Sequence, residues 1–281
     1  MILSFASSGL PGMLLVASSV LALLAYAAVV LSPDKAGDGA RLRGLLVLGW
    51  SAHLLALVLD IAGIGASQPG ARFGFAPALS MTIWLVLAVY MVESRLVPLP
   101  SARRLLAVLA ALGVLLAALY PGESRPLAAS PWTPLHWVLG LASYGLFGVA
   151  VLHAVLLSRA ERQMRLKMPS PGQGQFPLGM PLLRLERLTF QFVGAGVVVL
   201  SLALLLGWWF TPQWRWDHKN LLSVLGWLVL TGLLTGRRVF GWRGRRATRW
   251  LYLGAALLLL AYAGSRFVLE VLLQRAGTAP V

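Results

Sequence analysis

The chain contains no cysteine, and acidic side chains are also scarce, with nine Asp and Glu among 281 residues. The absence of cysteine excludes disulfides, thiolate catalysis, cysteine-bound zinc and cysteine-bound iron–sulfur clusters. Charged residues of both signs form only 12% of the chain, against about 25% in a typical soluble domain. This composition excludes an ordinary soluble globular domain and a disordered chain.

Hydrophobic residues are abundant instead, at 58% of the chain, and the mean hydropathy is +0.78. One core of this size cannot bury so much apolar surface, so lipid must cover part of it. Apolar runs of about 20 residues predict eight transmembrane helices and an all-α, polytopic membrane helix bundle. The predicted spans are Gly12–Leu31, Leu45–Gly65, Pro77–Glu93, Leu105–Tyr120, Thr133–Ser158, Leu188–Phe210, Leu221–Gly236 and Trp250–Leu273.

The formal net charge is +15, and its distribution predicts the orientation of the helices. The loops after spans one, three, five and seven hold 18 of the 24 Lys and Arg. Because positive loops stay in the cytoplasm, both termini are expected outside. The basic loops would also attract anionic lipid of the inner leaflet. The positive charge is thus explained by topology, and no nucleic-acid binding is expected.

The longest predicted loop, Arg159 to Arg187, is rich in Pro and Gly around residues 168–181. This composition is typical of a flexible connector. We expect a single membrane domain over residues 1–281, with four front helices over residues 12–120 and four back helices over residues 132–273. P-loop, GxGxxG and HExxH patterns are absent.

Ionisable side chains are costly to place inside a bilayer, so those within the spans are candidates for a functional site. The chain has four histidines. Spans five and seven both start outside, so His136 and His218 are expected near the same surface. His153 follows His136 by 17 residues, about 25 Å along a helix, and cannot share a small site with it. His53 is expected near the middle of span two, which leaves a second site there an open question.

Six of the eleven tryptophans are placed near the outer surface, namely Trp132, Trp137, Trp208, Trp209, Trp214 and Trp216. An interfacial aromatic belt is one explanation. However, four tryptophans within nine residues, followed by Asp-His-Lys, exceed what a belt requires. The segment Gly207–Lys219 (GWWFTPQWRWDHK) instead favours a large planar ligand with charged edges.

Haem, bound non-covalently as haem b, fits this pattern because neutral imidazoles can ligate its iron. His136 and His218 would be the axial ligands, and Arg215 or Lys219 could pair with the propionates. The pocket would be formed by Trp132, Trp208, Trp209, Trp214, Trp216 and Asp217. A mononuclear zinc site and purely structural histidines remain alternatives.

The motifs resemble those of the cytochrome c assembly family, which includes the CcsA/ResC, CcmC and HemX-like haem-handling proteins. Residues 214–217 (WRWD), with Trp208 and Trp209 upstream, are similar to the WGxxWxWD core of that family. Residues 241–246 (GWRGRR) resemble its GWxGRR turn, and Leu135-His136 with Ser143-Tyr144 resembles its LHxxxxxxSY segment. The resemblance is strongest over Trp132–Leu273, and the first four spans match only in hydropathy.

The resemblance is greatest to the YpjD-like inner-membrane proteins, because residues 217–219 are Asp-His-Lys where the CcsA branch has Asp-Pro-Lys. It implies a bacterial inner membrane location, haem at the outer face, and a role in cytochrome c-type biogenesis or haem-linked regulation. Cytochrome c maturation proteins or other membrane proteins are the implied partners. Residues 267–281 contain no histidine where the CcsA branch has one, so His218 would supply the second ligand from a new position.

The main hypothesis is therefore a haem-presenting membrane protein that is not itself an enzyme. A transporter or transport accessory for haem or an ion is the alternative, with a pathway through His53, Asp60, Glu93, Arg266 and Glu270. A membrane enzyme using His136 as base and Asp217 as orienter lacks a nucleophile or metal triad. A regulatory scaffold for a haem-synthesis or membrane complex is not separated from the main hypothesis by sequence.

Overall fold

A computed structural model describes residues 9–33, 38–64, 71–95, 100–125, 132–166, 182–210 and 216–268. The described residues form helices together with two three-residue strands. The helices are α1 (Leu10–Leu31), α2 (Gly39–Ile61), α3 (Phe75–Glu93), α4 (Pro100–Leu119), α5 (Thr133–Arg165), α6 (Leu182–Phe210), α7 (His218–Phe240), α8 (Gly244–Leu259) and the short α9 (Ser265–Phe267), and the strands are β1 (Ala71–Phe73) and β2 (Glu123–Arg125).

Eight helical segments are long and apolar enough to cross a membrane, which confirms the predicted all-α membrane fold. The eighth is Gly244–Phe267, in which α8 continues through a π-helical turn, Leu260–Gly264, into α9. Several helices extend beyond the predicted spans. Helix α5 continues to Arg165 and α8 begins at Gly244, because hydropathy detects the lipid-crossing part of a helix and not its polar ends.

The chain divides into two compact units. The first unit comprises Met1–Ala88, Pro100–Ala129 and Arg266–Val281, and the second comprises Val89–Leu99 and Ser130–Ser265. Helix α3 contributes to both units, with its last residues in the second.

In the first unit, α2 packs closely against its neighbours through small residues and aromatic rings. A Cβ on Gly49 would lie 2.9 Å from a ring carbon of Tyr26, so glycine permits the close approach of α1 and α2. Trp50 and Trp84 stack with centroids 4.6 Å apart, and each indole N–H donates to the other's backbone carbonyl. This reciprocal pair fixes α2 against α3 because two rings and two hydrogen bonds must break together.

The two strands of the first unit form an antiparallel pair with Arg72 opposite Ser124. The Arg72 side chain donates from Nε to the Gly122 carbonyl at 3.0 Å and reaches Oδ1 of Asp60 at 3.4 Å. The carboxylate of Asp60, at the end of α2, is therefore balanced by a cation from the strand pair.

The second unit consists mainly of α5 to α8, and its contacts show that successive helices run antiparallel. Phe147 of α5 lies against Gly196 of α6, whereas His136, near the start of α5, contacts Ala203. Helix α7 also runs antiparallel to α6, because Trp227 donates to Ser201 whereas Arg237, later in α7, pairs with Glu186, earlier in α6. The core is formed by Phe147, Ala150, Ala154, Phe190, Val193, Val197, Leu200, Leu230, Leu233, Ala247, Leu251 and Leu258.

Helices α7 and α8 approach closely at two glycines. A Cβ on Gly226 would lie 2.8 Å from Leu258, and a Cβ on Gly254 would lie 2.5 Å from Leu230. Each leucine therefore fills the space that the facing glycine leaves open. Gly241, with φ of 63°, ends α7 in the left-handed conformation and permits the turn into α8.

Candidate haem-binding end of the second unit

His136, the fourth residue of α5, is held by the last turns of α6. Its Nδ1 lies 2.9 Å from the backbone carbonyl oxygen of Ala203. A carbonyl can only accept, so Nδ1 carries the proton and Nε2 keeps its lone pair. A backbone acceptor that fixes the tautomer is a usual companion of metal-ligating histidine.

The imidazole of His136 lies directly over Gly207 of α6. A Cβ at this glycine would lie 2.9 Å from Cε1 and 3.2 Å from Nδ1 of the ring. Phe210 meets the ring edge-on with centroids 5.7 Å apart. The histidine is thus oriented from two sides, although it remains only partly buried.

The tryptophans of this end present large exposed rings. Trp132 and Trp209 contact each other with centroids 5.6 Å apart, which joins the start of α5 to the end of α6. The exposed fractions of Trp208, Trp209 and Trp216 are 64%, 67% and 68%. The predicted pocket residues Trp214 and Arg215 lie outside the described residues.

His218 is the first residue of α7 and is exposed. Asp217 caps this helix, its Oδ1 accepting from the Asn220 backbone N–H at 2.8 Å. The Asp217 carboxylate thereby fixes the start of α7, where His218 lies. The role of Asp217 in a haem pocket stays a prediction.

Both histidines belong to the same end of the second unit, which we call the histidine end. Helices α5 and α7 each run antiparallel to α6, so their first residues lie at that end. The contacts of Trp227 with Ser201 and of Arg237 with Glu186 place the level of Gly207 near the start of α7, at about residues 216–221. His218 therefore lies within about one helical turn of the level of His136 along the unit.

Lys219 adds a cation at the histidine end. Its Nζ lies 5.8 Å from the ring centroid of Tyr262. Tyr262 belongs to the π-helical turn of the last span. The Tyr144 hydroxyl donates to the Leu258 carbonyl just before this turn, at 2.9 Å. A π-turn interrupts the α-helical hydrogen bonds, and such turns are frequent at functional sites.

The family profile described as "Cytochrome C assembly protein" matches residues 39–273. The chain belongs to the cytochrome c assembly family. The match confirms the resemblance found in the sequence and extends it from the back half to α2, α3 and α4, where hydropathy alone was similar.

Curated relatives of this family member cover most of its length. It is 30% identical to "Inner membrane protein YpjD" of Escherichia coli (strain K12) over 268 residues, 90% of this chain and 98% of that protein. It is 33% identical over 256 residues to a 28.8 kDa protein of Azospirillum brasilense, covering 85% and 90% of the two chains. "Cytochrome c biogenesis protein CcsA" of Prochlorococcus marinus is 22% identical over 223 residues, covering 68% of this chain and 71% of that protein. No solved structure matches the chain.

In this cytochrome c assembly protein, His53 has both ring nitrogens engaged. Nδ1 lies 3.3 Å from the Tyr26 hydroxyl and Nε2 lies 2.8 Å from the Ser80 hydroxyl. All three side chains are at most 1% exposed. The hydrogen bonds explain His53 as a link between α1, α2 and α3, and leave no nitrogen for a second haem.

The other polar residues of the hypothetical transport pathway also have local partners. Glu93 Oε2 lies 2.9 Å from Nε2 of the buried His153, and Asp60 faces Arg72. Glu270 lies outside the described residues. Over the described ranges, no group of three His, Cys, Asp or Glu could hold a metal ion. The structure therefore groups no donors for the zinc alternative within those ranges.

Three contributors to the histidine end were not identified from the sequence. Ala203 contributes its backbone carbonyl, which every residue has, so its sequence gives no signal. Tyr262 lies in a π-helical turn, and no residue pattern predicts such a turn. Gly207 could have been found, because it lies one residue before the tryptophan pair and carries no side chain of its own.

Proposed function

We propose that this protein binds haem b non-covalently at the histidine end, with His136 as one axial ligand and His218 as the other. The observation that carries the proposal is the fixed imidazole of His136, with Nδ1 held by the Ala203 carbonyl and Gly207 beneath the ring. A neutral imidazole with an engaged Nδ1 presents the Nε2 lone pair to a metal.

The surroundings support a macrocycle rather than a bare ion. The contact of Trp132 with Trp209 and the exposed ring of Trp216 offer flat apolar surface at the same end of the unit as His136. Lys219 provides a cation at the same end for a propionate, and Tyr262 lies next to its side chain. When bound, haem supplies an iron centre whose potential depends on its axial ligands.

The role that fits this site is to hold haem and present it to another protein, with no bond made or broken by this chain. We infer a place in cytochrome c-type biogenesis or haem-linked regulation, since one relative is named a cytochrome c biogenesis protein. A bacterial inner membrane location is supported by the name of the Escherichia coli relative and by the eight apolar helices. The positive-inside charge pattern supports an outer location for the histidine end.

The direct test is the absorption spectrum of the detergent-purified protein, oxidised and reduced, before and after haem addition. We expect a Soret band that is lost or shifted in His136→Ala and in His218→Ala. Ser158→Ala is a matched control, because it changes the same helix 22 residues away, about 33 Å from His136. Absence of a Soret band after haem addition would refute the proposal, and an unchanged band in both histidine variants would refute the ligands.

A further inference from the structure

Helix α8 has two different faces. Ala247, Thr248 and Leu251 are buried against the second unit. The exposed face begins with Arg245, Arg246 and Arg249 and continues with Trp250 and Leu253. Because α8 starts one of the eight membrane spans, the change from cationic to apolar side chains occurs where a helix enters lipid.

These five residues line an open groove of about 630 Å³. One end of the groove is cationic and the other apolar. A ligand that fills it must therefore carry negative charge at one end and hydrocarbon at the other.

Ring contacts hold the cationic end in place, although no carboxylate within the described ranges neutralises it. Arg246 lies over the Trp242 ring at 4.3 Å, and Trp242 stacks on Trp250 with centroids 6.0 Å apart. Trp242 itself is seated in the space above Gly236, where a Cβ would lie 2.6 Å from the indole. Among the described residues, no Asp or Glu pairs with Arg245, Arg246 or Arg249, whereas Arg237 nearby in sequence pairs with Glu186.

We propose that this groove is a binding site for one anionic glycerophospholipid. The arginines bind the phosphate of the headgroup, and an acyl chain lies along Trp250 and Leu253 toward the membrane interior. Free phosphate is a poorer match because it would leave the apolar half of the groove uncovered. The site is separate from the histidine end, since α8 begins at the opposite end of the second unit.

The test uses the full chain in detergent micelles and counts bound lipid by native mass spectrometry during titration with phosphatidylglycerol. Each arginine near a membrane surface strengthens anionic lipid binding about fivefold, so Arg245→Gln with Arg249→Gln should weaken it about 25-fold. The matched control, Arg162→Gln with Arg165→Gln, removes the same charge from the exposed end of α5, outside the groove, and should weaken binding far less.

A second pair of variants tests the apolar half. Leu253→Ser should weaken phosphatidylglycerol binding about five- to tenfold. Leu259→Ser, an equally exposed position outside the groove on the same helix, should not. Equal losses in the arginine variant and its control, equal losses in the two leucine variants, or equally tight binding of phosphatidylcholine would each overturn the proposal. Displacement of the lipid by inorganic phosphate would show a free-phosphate site and would also overturn it.

Discussion

Replacing Gly207 by Ala tests whether the orientation of His136 controls haem binding. The added Cβ would lie 2.9 Å from Cε1 and 3.2 Å from Nδ1, whereas ordinary contacts lie at 3.4–4 Å. The backbone of α6 cannot yield as easily as a side chain, so the imidazole must rotate away. Rotation breaks the hydrogen bond from Nδ1 to the Ala203 carbonyl and turns Nε2 away from its present direction.

The expected effects of Gly207→Ala on haem affinity and on stability differ in size. Crowding a packed site costs about 1–3 kcal/mol of unfolding free energy, and Ala in place of Gly in a helix returns about 0.5–1 kcal/mol. The fold should therefore lose at most about 2.5 kcal/mol by these same terms. Loss of the hydrogen bond that orients a metal ligand costs about 10- to 100-fold in affinity, so haem binding should weaken by that factor.

Two other glycines of α6 serve as matched controls. Gly194 has no atom within 4 Å of a built Cβ, so Gly194→Ala should bind haem normally and be slightly more stable. A Cβ on Gly196 would lie 2.6 Å from Phe147, so Gly196→Ala should lower stability but leave haem affinity unchanged.

The assay is a haem titration followed at the Soret band, with thermal unfolding of each variant measured in the same detergent. The reasoning is refuted if Gly207→Ala binds haem as tightly as the parent protein. It is also refuted if Gly196→Ala weakens binding as much as Gly207→Ala, because the effect would then report general crowding.

Three further substitutions have defined outcomes. Asp217→Ala should lower the unfolding free energy by about 0.5–2 kcal/mol, because α7 loses its cap, whereas Asp217→Asn should retain most of the stability. Equal thermal midpoints for the two variants would contradict the capping role. Tyr144→Phe should cost about 1 kcal/mol because the Leu258 carbonyl loses its donor, and an unchanged midpoint would show that water replaces it. His53→Leu should lower the thermal midpoint, because it leaves two buried hydroxyls without their partner at a cost of about 1–3 kcal/mol each. It should not change the number of haems bound, and a loss of haem would show that His53 is a ligand.

Hydropathy predicted the eight spans because the cost of placing polar groups in lipid acts on each segment separately. Hydropathy did not predict where the helices begin and end. Residues 245–249 looked like a basic loop, yet they form the first turns of α8, since a helix can carry arginines where it meets the membrane surface. A charged segment can thus be both helical and interfacial, which hydropathy does not distinguish.

The candidate site was predictable in residue type but not in geometry. The sequence identified His136 and the tryptophans, because histidine in a membrane span and clustered indoles are both unusual. It could not supply the Ala203 carbonyl, because that contact joins residues 67 apart and depends on how α5 packs against α6. The same limit applies to Lys219 and Tyr262, which meet only through the packing of α7 on the last span.

The hydrogen bonds of the ring nitrogens distinguish the candidate haem ligands among the histidines. The depth of each histidine in the membrane distinguishes them less well. His53 has both nitrogens engaged, and Nε2 of His153 is directed at Glu93, which leaves only Nδ1, an atom that is fully buried. His136 has the opposite arrangement, with Nδ1 engaged and Nε2 left for a ligand. Of the histidines within the spans, His136 alone has Nδ1 held by a backbone carbonyl in a partly buried ring, and for that reason the proposed site depends on the packing of α5 against α6.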